Sequence, residues 1–242
     1  MHKVFISPSD QRRNTYASGN TNEAEVCGRI GAACRAALER CGFAVALVQY
    51  EPMSSKCAKS DAFGAELHLP IHTNAFNGKT SGTRIMCYAL SGEGYRACKA
   101  IFDVLAPLTP GTSENITAHP ELYEIKNASA PTAYVEVDFH DVPEVAAWLT
   151  ANTETIGETI AKGVCNYFGE QYTAPGAPET GSDGWYHSFD ELPDWAKPEL
   201  RELIDTGALR GRDGDLDLSE DLLRSLIVTK RYVDSRGAAD RD

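Results

Sequence analysis

No apolar run in the 242 residues approaches the roughly 20 that a membrane-spanning helix needs, so a spanning protein is excluded. The three apolar residues after Met1-His2-Lys3 are also too few for the core of a secretion signal, and synthesis in the cytoplasm without a cleaved leader is expected. Basic residues are scarce: 23 Lys and Arg face 35 Asp and Glu, a net charge of −12. The deficit is shared, with 14 basic against 21 acidic side chains in residues 1–184 and 9 against 14 in residues 185–242. Sequence-independent phosphate binding needs Lys and Arg in excess on one face, which excludes nucleic acid and argues against an anchor for anionic surfaces. There is no Cys-x-x-Cys among the seven cysteines, and Cys27, Cys34 and Cys41 recur every seven residues. On a helix they form one stripe, as small apolar packing residues in a reducing compartment do, rather than a disulfide framework or a thiolate metal site. A Gly-x-Ser-x-Gly elbow is missing too, which removes support for a serine hydrolase of the α/β type.

What is present is an ordinary globular composition, 42% apolar and 24% charged. The length suits one domain of about 150–180 residues with a smaller one attached. Residues 3–6 read as a first strand ended by the turn signal Ser-Pro-Ser-Asp. Residues 23–41 are the strongest helix, with Val26, Ile30, Ala33, Ala37 and Leu38 on one face and Gly42 as terminator. Continuous apolar runs of strand length follow at residues 43–48, 66–71 and 83–89, then a helix over 92–106. Residues 107–131, rich in Pro, Thr and Ser, read as irregular; 133–137 is a strand, and 143–168 holds one or two helices. Such alternation predicts an α/β fold, a mostly parallel or mixed sheet with helices on both faces. Residues 172–184 have linker composition, dividing a domain of residues 1–171 from a small all-α module of residues 185–242. In that module one helix should end at Gly207, and Ser219 should cap the next.

Sites in such sheets form beyond the carboxyl ends of the strands. There the chain offers Ser9 and Asp10 after the first strand, Glu23 opening the long helix, His72 in LHLPIHTNA, and Glu136 and His140 in YVEVDFHD. Two histidines and two or three carboxylates on one edge suit a mononuclear zinc site with an open position and a carboxylate base. Glu23 alone could serve the helix dipole, and His72 alone could bond to backbone. Glu136 is harder to dismiss, since a carboxylate in an apolar strand is costly to bury unpaired.

The order of these segments, above all ELHLPIHTNAFNGKTSGTRI and SAPTAYVEVDFHDVPE, resembles the zinc-dependent N-acetylmuramoyl-L-alanine amidases of the amidase-3 type over about residues 3–168. The resemblance implies zinc ligands at Glu23 and His72 and a catalytic carboxylate at Glu136. It also implies a histidine after the first strand, where this chain reads ISPSDQ. Asp10 occupies that position, and His140 is the alternative donor; we favour His140, because zinc accepts imidazole well. A straight strand would hold His140 roughly 13 Å from Glu136, so the chain after Val137 has to curl back. His68 shares parity with His72 and is expected to be buried or to lie behind the ligands.

The resemblance implies a peptidoglycan hydrolase that cuts between N-acetylmuramic acid and the L-alanine of the stem peptide, acting at the bacterial wall as an endolysin released through a holin or as an autolysin. The alternative is a non-catalytic wall-binding descendant, motivated by the missing histidine. Residues 185–242 are similar to half of an S-layer-homology repeat and to the helical tails of some phage lysins, which implies wall targeting or a homo-oligomer formed through this module.

Overall fold

A computed structural model describes residues 1–175, 185–193, 196–211 and 216–239. They fall into two compact units, Met1–Thr173 and Ala174–Asp242. In the first, six strands form one sheet: β1 (Lys3–Pro8), β2 (Ala44–Leu47), β3 (Leu67–Asn74), β4 (Arg84–Cys87), β5 (Asn115–Ala118) and β6 (Tyr134–Phe139). Their order is β2-β1-β3-β6-β4-β5, parallel throughout except for the antiparallel pair β4 and β6. The mixed α/β sheet expected from the alternation is therefore present.

Side chains alternate across this sheet. Val4, Ile6, Leu67, Leu69, Ile71, Val135 and Val137 are buried in one apolar cluster with Ile30, Leu38, Ile101 and Ile160. Those four come from α1 (Glu23–Arg40), α3 (Gly92–Leu105) and α6 (Thr153–Phe168), which cover that face. Each such side chain contributes roughly 1.5–3 kcal/mol by leaving water. The approach of α6 to α1 requires Gly157, where a Cβ would lie 2.6 Å from the Cβ of Ala33 and 2.7 Å from the carbonyl oxygen of Ile30. Asn22 caps α1 by accepting the Glu25 amide proton at 3.1 Å. The opposite face carries α2 (Met53–Phe63) and α4 (Tyr123–Asn127), while α5 (Pro143–Ala151) follows β6. All seven cysteines are free thiols, six of them buried.

Three elements depart from the sequence reading. β1 continues through Ser7 and Pro8, which pair with Pro70 and Ile71, so ladder partners override the turn signal. Residues 107–131 are not all irregular: they contain the short edge strand β5 and the five-residue α4. The polar helix α2, held by little more than Cys57 and two buried polar side chains, had no apolar periodicity to reveal it.

The second unit pairs β7 (Trp185–Tyr186) with β8 (Leu218–Ser219), antiparallel, and adds α7 (Lys197–Asp205) and α8 (Glu220–Ala239) around Tyr186, Leu200, Leu218, Leu223 and Ile227. A short hairpin-like pair thus accompanies the expected helices. Ser219 accepts the Leu222 amide proton at 3.3 Å, as a cap does. The linker assigned to residues 172–184 lies outside the described residues from 176 onward. Among the described residues no helix is long and apolar enough to cross a membrane.

Candidate active site

Parallel pairing of β3 and β6 sets His72 directly beside Glu136. Glu23, the first residue of α1, brings a third group to the same edge, its backbone N–H bonded to the Asn14 carbonyl. Glu23 Oε1 lies 2.9 Å from His72 Nδ1, and its Oε2 accepts a hydrogen bond from Asn14 Nδ2 at 2.7 Å. The His72 ring stacks on Tyr134 with centroids 4.7 Å apart. Glu136 is partly buried, and its Oε2 is shielded from water without a hydrogen-bond partner.

The three groups have different proton affinities for stated reasons. Burial pushes the Glu23 carboxyl up, but hydrogen bonds from His72, Asn14 and Ser9 and the charge of His72 hold it below the usual range. Burial pushes His72 down, and the hydrogen bond to Glu23 together with the charges of Glu136 and Glu23 more than reverses this. Glu136 is pushed up to about 7, chiefly by burial, with His72 opposing and Glu23 assisting. A carboxyl that titrates near neutrality beside an imidazole is suited to moving a proton.

The β3–β6 ladder is irregular after Glu136. His72 pairs with Glu136, yet Asn74 pairs with Phe139, so β6 carries one extra residue. The His140 N–H then donates to the Asn74 carbonyl at 2.8 Å. His140 is buried on the Thr73 side of β3: its Nδ1 lies 3.0 Å from Thr73 Oγ1, and its ring stacks on Tyr16 at 4.9 Å. Burial lowers its proton affinity despite the charges of Glu23 and Asp141, so its imidazole is available in the neutral form that a metal requires. Asp10 is exposed in the turn after β1. Glu23, His72 and Glu136 thus meet at one sheet edge, whereas the His140 ring bonds to Thr73 and Asp10 is exposed, and among the described residues no group of three or more His, Cys, Asp or Glu stands close enough to hold a metal ion. What the site offers a cation is one oxygen and one nitrogen donor facing each other, with the orphaned Glu136 oxygen nearby.

Behind the site runs a buried polar network absent from the sequence reading except for His68. His68 Nδ1 meets Ser60 Oγ at 3.0 Å and its Nε2 meets Glu124 Oε1 at 3.2 Å, while Ser7 donates to the same oxygen at 2.5 Å. Lys56 Nζ donates to the Pro8 carbonyl at 3.0 Å. Phe5 stacks on His68. The network ties α2 and α4 to β1 and β3 directly beneath His72. The i, i+4 spacing of His68 and His72 was its one legible signal; Tyr134, two residues before Glu136 on the same face, was legible by parity alone.

The chain matches the family described as N-acetylmuramoyl-L-alanine amidase over residues 4–166. It is 30% identical over 114 residues to the germination-specific N-acetylmuramoyl-L-alanine amidase of Bacillus subtilis (strain 168), an overlap of 46% of this chain and 48% of that protein. The chain thus spans about half the length of this curated relative. Among solved structures it is similar to the amidase AmiC2 of Nostoc punctiforme, with a TM-score of 0.63 at 19% identity, covering 69% of this chain and 97% of the other. The catalytic domain of the amidase CwlV from Bacillus (Paenibacillus) polymyxa var. colistinus gives a TM-score of 0.64 at 15% identity, covering 71% and 100%. At these identities the structural matches show a shared fold.

Proposed function

The chain belongs to the N-acetylmuramoyl-L-alanine amidase family, and from that premise we propose that it hydrolyses the amide between the lactyl group of N-acetylmuramic acid and the L-alanine of the stem peptide. The observation that carries this reading is Glu136, a carboxyl with a shielded, unpartnered oxygen, poised near pH 7 beside His72 and Glu23. Glu136 takes a proton from the attacking water and returns it to the alanine nitrogen as the C–N bond breaks. Tyr134 holds the plane of His72 by stacking, and Asn14 fixes the Glu23 carboxylate from behind.

The donor chemistry suits zinc, in keeping with the family. Glu23 and His72 would hold it, and His140 or Asp10 would complete three protein ligands. When bound, the ion supplies Lewis acidity toward the scissile carbonyl and the attacking water. His140 is the better third donor in kind, and the extra residue in β6 already brings it beside β3.

On the same reading the protein acts on bacterial peptidoglycan, as an endolysin or an autolysin, after release from the cell that makes it. The second unit would hold it to the wall or pair two copies. Mass spectrometry of digested, purified muropeptides tests the activity. New products with a free lactyl carboxyl and a free alanine amino group are expected. Intact muropeptide after incubation of zinc-loaded protein would favour a wall-binding descendant.

A further inference from the structure

The face that carries His72 and Glu136 does not end at β6. Antiparallel pairing sets Arg84 of β4 opposite Glu136, and Arg84 in turn pairs with Asn115 of β5, so His72, Glu136, Arg84 and Asn115 form one row across four strands. Tyr134, Met86 and Thr117 form the adjoining row. Directly opposed residues share a face, with Cβ atoms about 5 Å apart. Arg84, Met86, Asn115 and Thr117, with Phe76 and Phe139, line an open cavity of about 570 Å³. The peptide-bond chemistry therefore has a groove beside it on the β4–β5 side.

Arg84 is the notable group in that groove. Its guanidinium is turned away from Glu136: Nη2 donates to Ser113 Oγ at 2.8 Å, and Cζ stands 5.8 Å from the centre of the Phe139 ring. Its Nε is shielded from water with no hydrogen-bond partner, and among the described residues no carboxylate pairs with it. In a chain with 12 more acids than bases, a held guanidinium with no carboxylate partner leaves hydrogen-bond donors open to an anion. The fork of a guanidinium matches a planar carboxylate.

We propose that Arg84 binds a free carboxylate on the peptide side of the scissile amide and so determines which stem peptides are accepted. The ligand rests on the amidase reading. The lactyl carboxyl of the glycan partner is consumed in the scissile amide, so the sugar side presents no anion there. The peptide side does. Its second residue is joined through the side-chain carboxyl of glutamate, which leaves the α-carboxyl free, or converted to a carboxamide in amidated walls. Two residues of extended peptide span at most about 7 Å, more than the roughly 4.8 Å between β6 and β4, so a peptide whose scissile amide lies over Glu136 reaches over Arg84 with its second residue. Asn115 and Ser113 flank the guanidinium with further polar groups.

The test compares two product peptides, L-alanyl-γ-D-glutamyl-L-lysine amide and its isoglutaminyl counterpart, in which the γ-carboxyl is bonded as in the stem and only the α-carboxyl differs, by calorimetric titration into the full-length protein, alongside hydrolysis of the two corresponding muropeptides. The wild-type protein is expected to bind the free acid 10-fold to 100-fold more tightly and to show a similar preference in kcat/KM, expressed mainly in KM. Arg84→Met should reduce the ratio to near one, and Arg84→Lys, which keeps the charge without the fork, should leave an intermediate ratio. Equal binding of acid and amide by the wild-type protein overturns the proposal without any variant. Preserved discrimination in Arg84→Met overturns it as well. Arg84-dependent binding without any hydrolysis would leave this subsite standing and remove the amidase reading instead.

Discussion

Glu23 Oε1 and His72 Nδ1 face each other at 2.9 Å across the junction of α1 and β3, although 49 residues separate them in the chain. In the metal-free protein this contact keeps a proton on the imidazole, because the carboxylate is held low and the histidine high. Zinc held by Glu23 and His72, as proposed, would compete with that proton, so its affinity should fall as pH drops through the raised His72 value. In chelator-treated protein the His72 ring is expected to titrate above 6.5 by NMR, and in Glu23→Gln to titrate lower. An unchanged titration in that variant would mean that the contact is not formed in solution.

Glu136 should have two separable signatures. Glu136→Gln is expected to leave the fold intact and to reduce turnover by at least about 10² to 10⁴, the usual worth of a general base. Its folded value near 7 lies above the unfolded value near 4.5, so the native state gains by holding the proton. That gain is complete below about 4.5 and is lost as pH rises through 7. Chelator-treated Glu136→Gln should therefore melt higher than the parent at pH 8, with the difference shrinking toward pH 5. Wild-type turnover, or a melting difference independent of pH, counts against the assignment.

Glu124 titrates in the opposite sense. Burial pushes it up, but hydrogen bonds from His68 and Ser7 bring it below the ordinary 4.5. Its contribution is complete above that value and disappears as pH falls through the lower folded one. Glu124→Gln should cost about 1–3 kcal/mol near neutrality, as loss of a buried charged hydrogen-bond acceptor does. Denaturant titrations of parent and variant should converge toward pH 3. A constant gap would show that packing of α4, rather than the charge, is responsible.

The second unit has its own small apolar core, so removal after Thr173 should leave the first unit folded. That boundary has a reason, because the Thr173 carbonyl accepts a hydrogen bond from Arg40 Nε at 2.9 Å. The fragment is expected to retain hydrolysis of soluble muropeptides and to sediment less with intact sacculi. Undiminished sacculus binding, or loss of a dimer in light scattering, would assign the unit to other work.

The sheet and the three residues at its edge were legible because apolar runs, a helix-opening acid and a buried carboxylate each leave a local trace. The rest depended on pairing across the fold. α2 and β5 are polar and stabilised by partners distant in sequence, and Glu124 reaches His68 from α4, a five-residue helix with no periodicity of its own. Arg84 gains its meaning from the antiparallel register with Glu136, which no spacing along the chain announces. The bulge in β6 after Glu136 was legible only as a requirement, that the chain after Val137 curl back toward the strand end if His140 is to serve the site.

That requirement makes the third ligand a sharp question. Asp10 holds the chain position where the resemblance implies a histidine, but it is exposed. His140 is buried beside Thr73 and Tyr16, with its Nδ1 facing Thr73 Oγ1 and its proton affinity lowered. Zinc prefers the nitrogen donor, and a neutral imidazole does not have to lose a proton first. Loss of a ligand should reduce zinc affinity well beyond the 10-fold to 100-fold that removal of an outer partner costs. Zinc titration against a competing chelator should therefore show a large loss for His140→Ala and a small one for Asp10→Ala, with Thr73→Ala in the 10-fold to 100-fold range if Thr73 orients the ring. The reverse order would move the ligand to the turn after β1. Parent-like affinity in both variants would exclude both residues and leave Glu23 and His72 with a donor from outside this set.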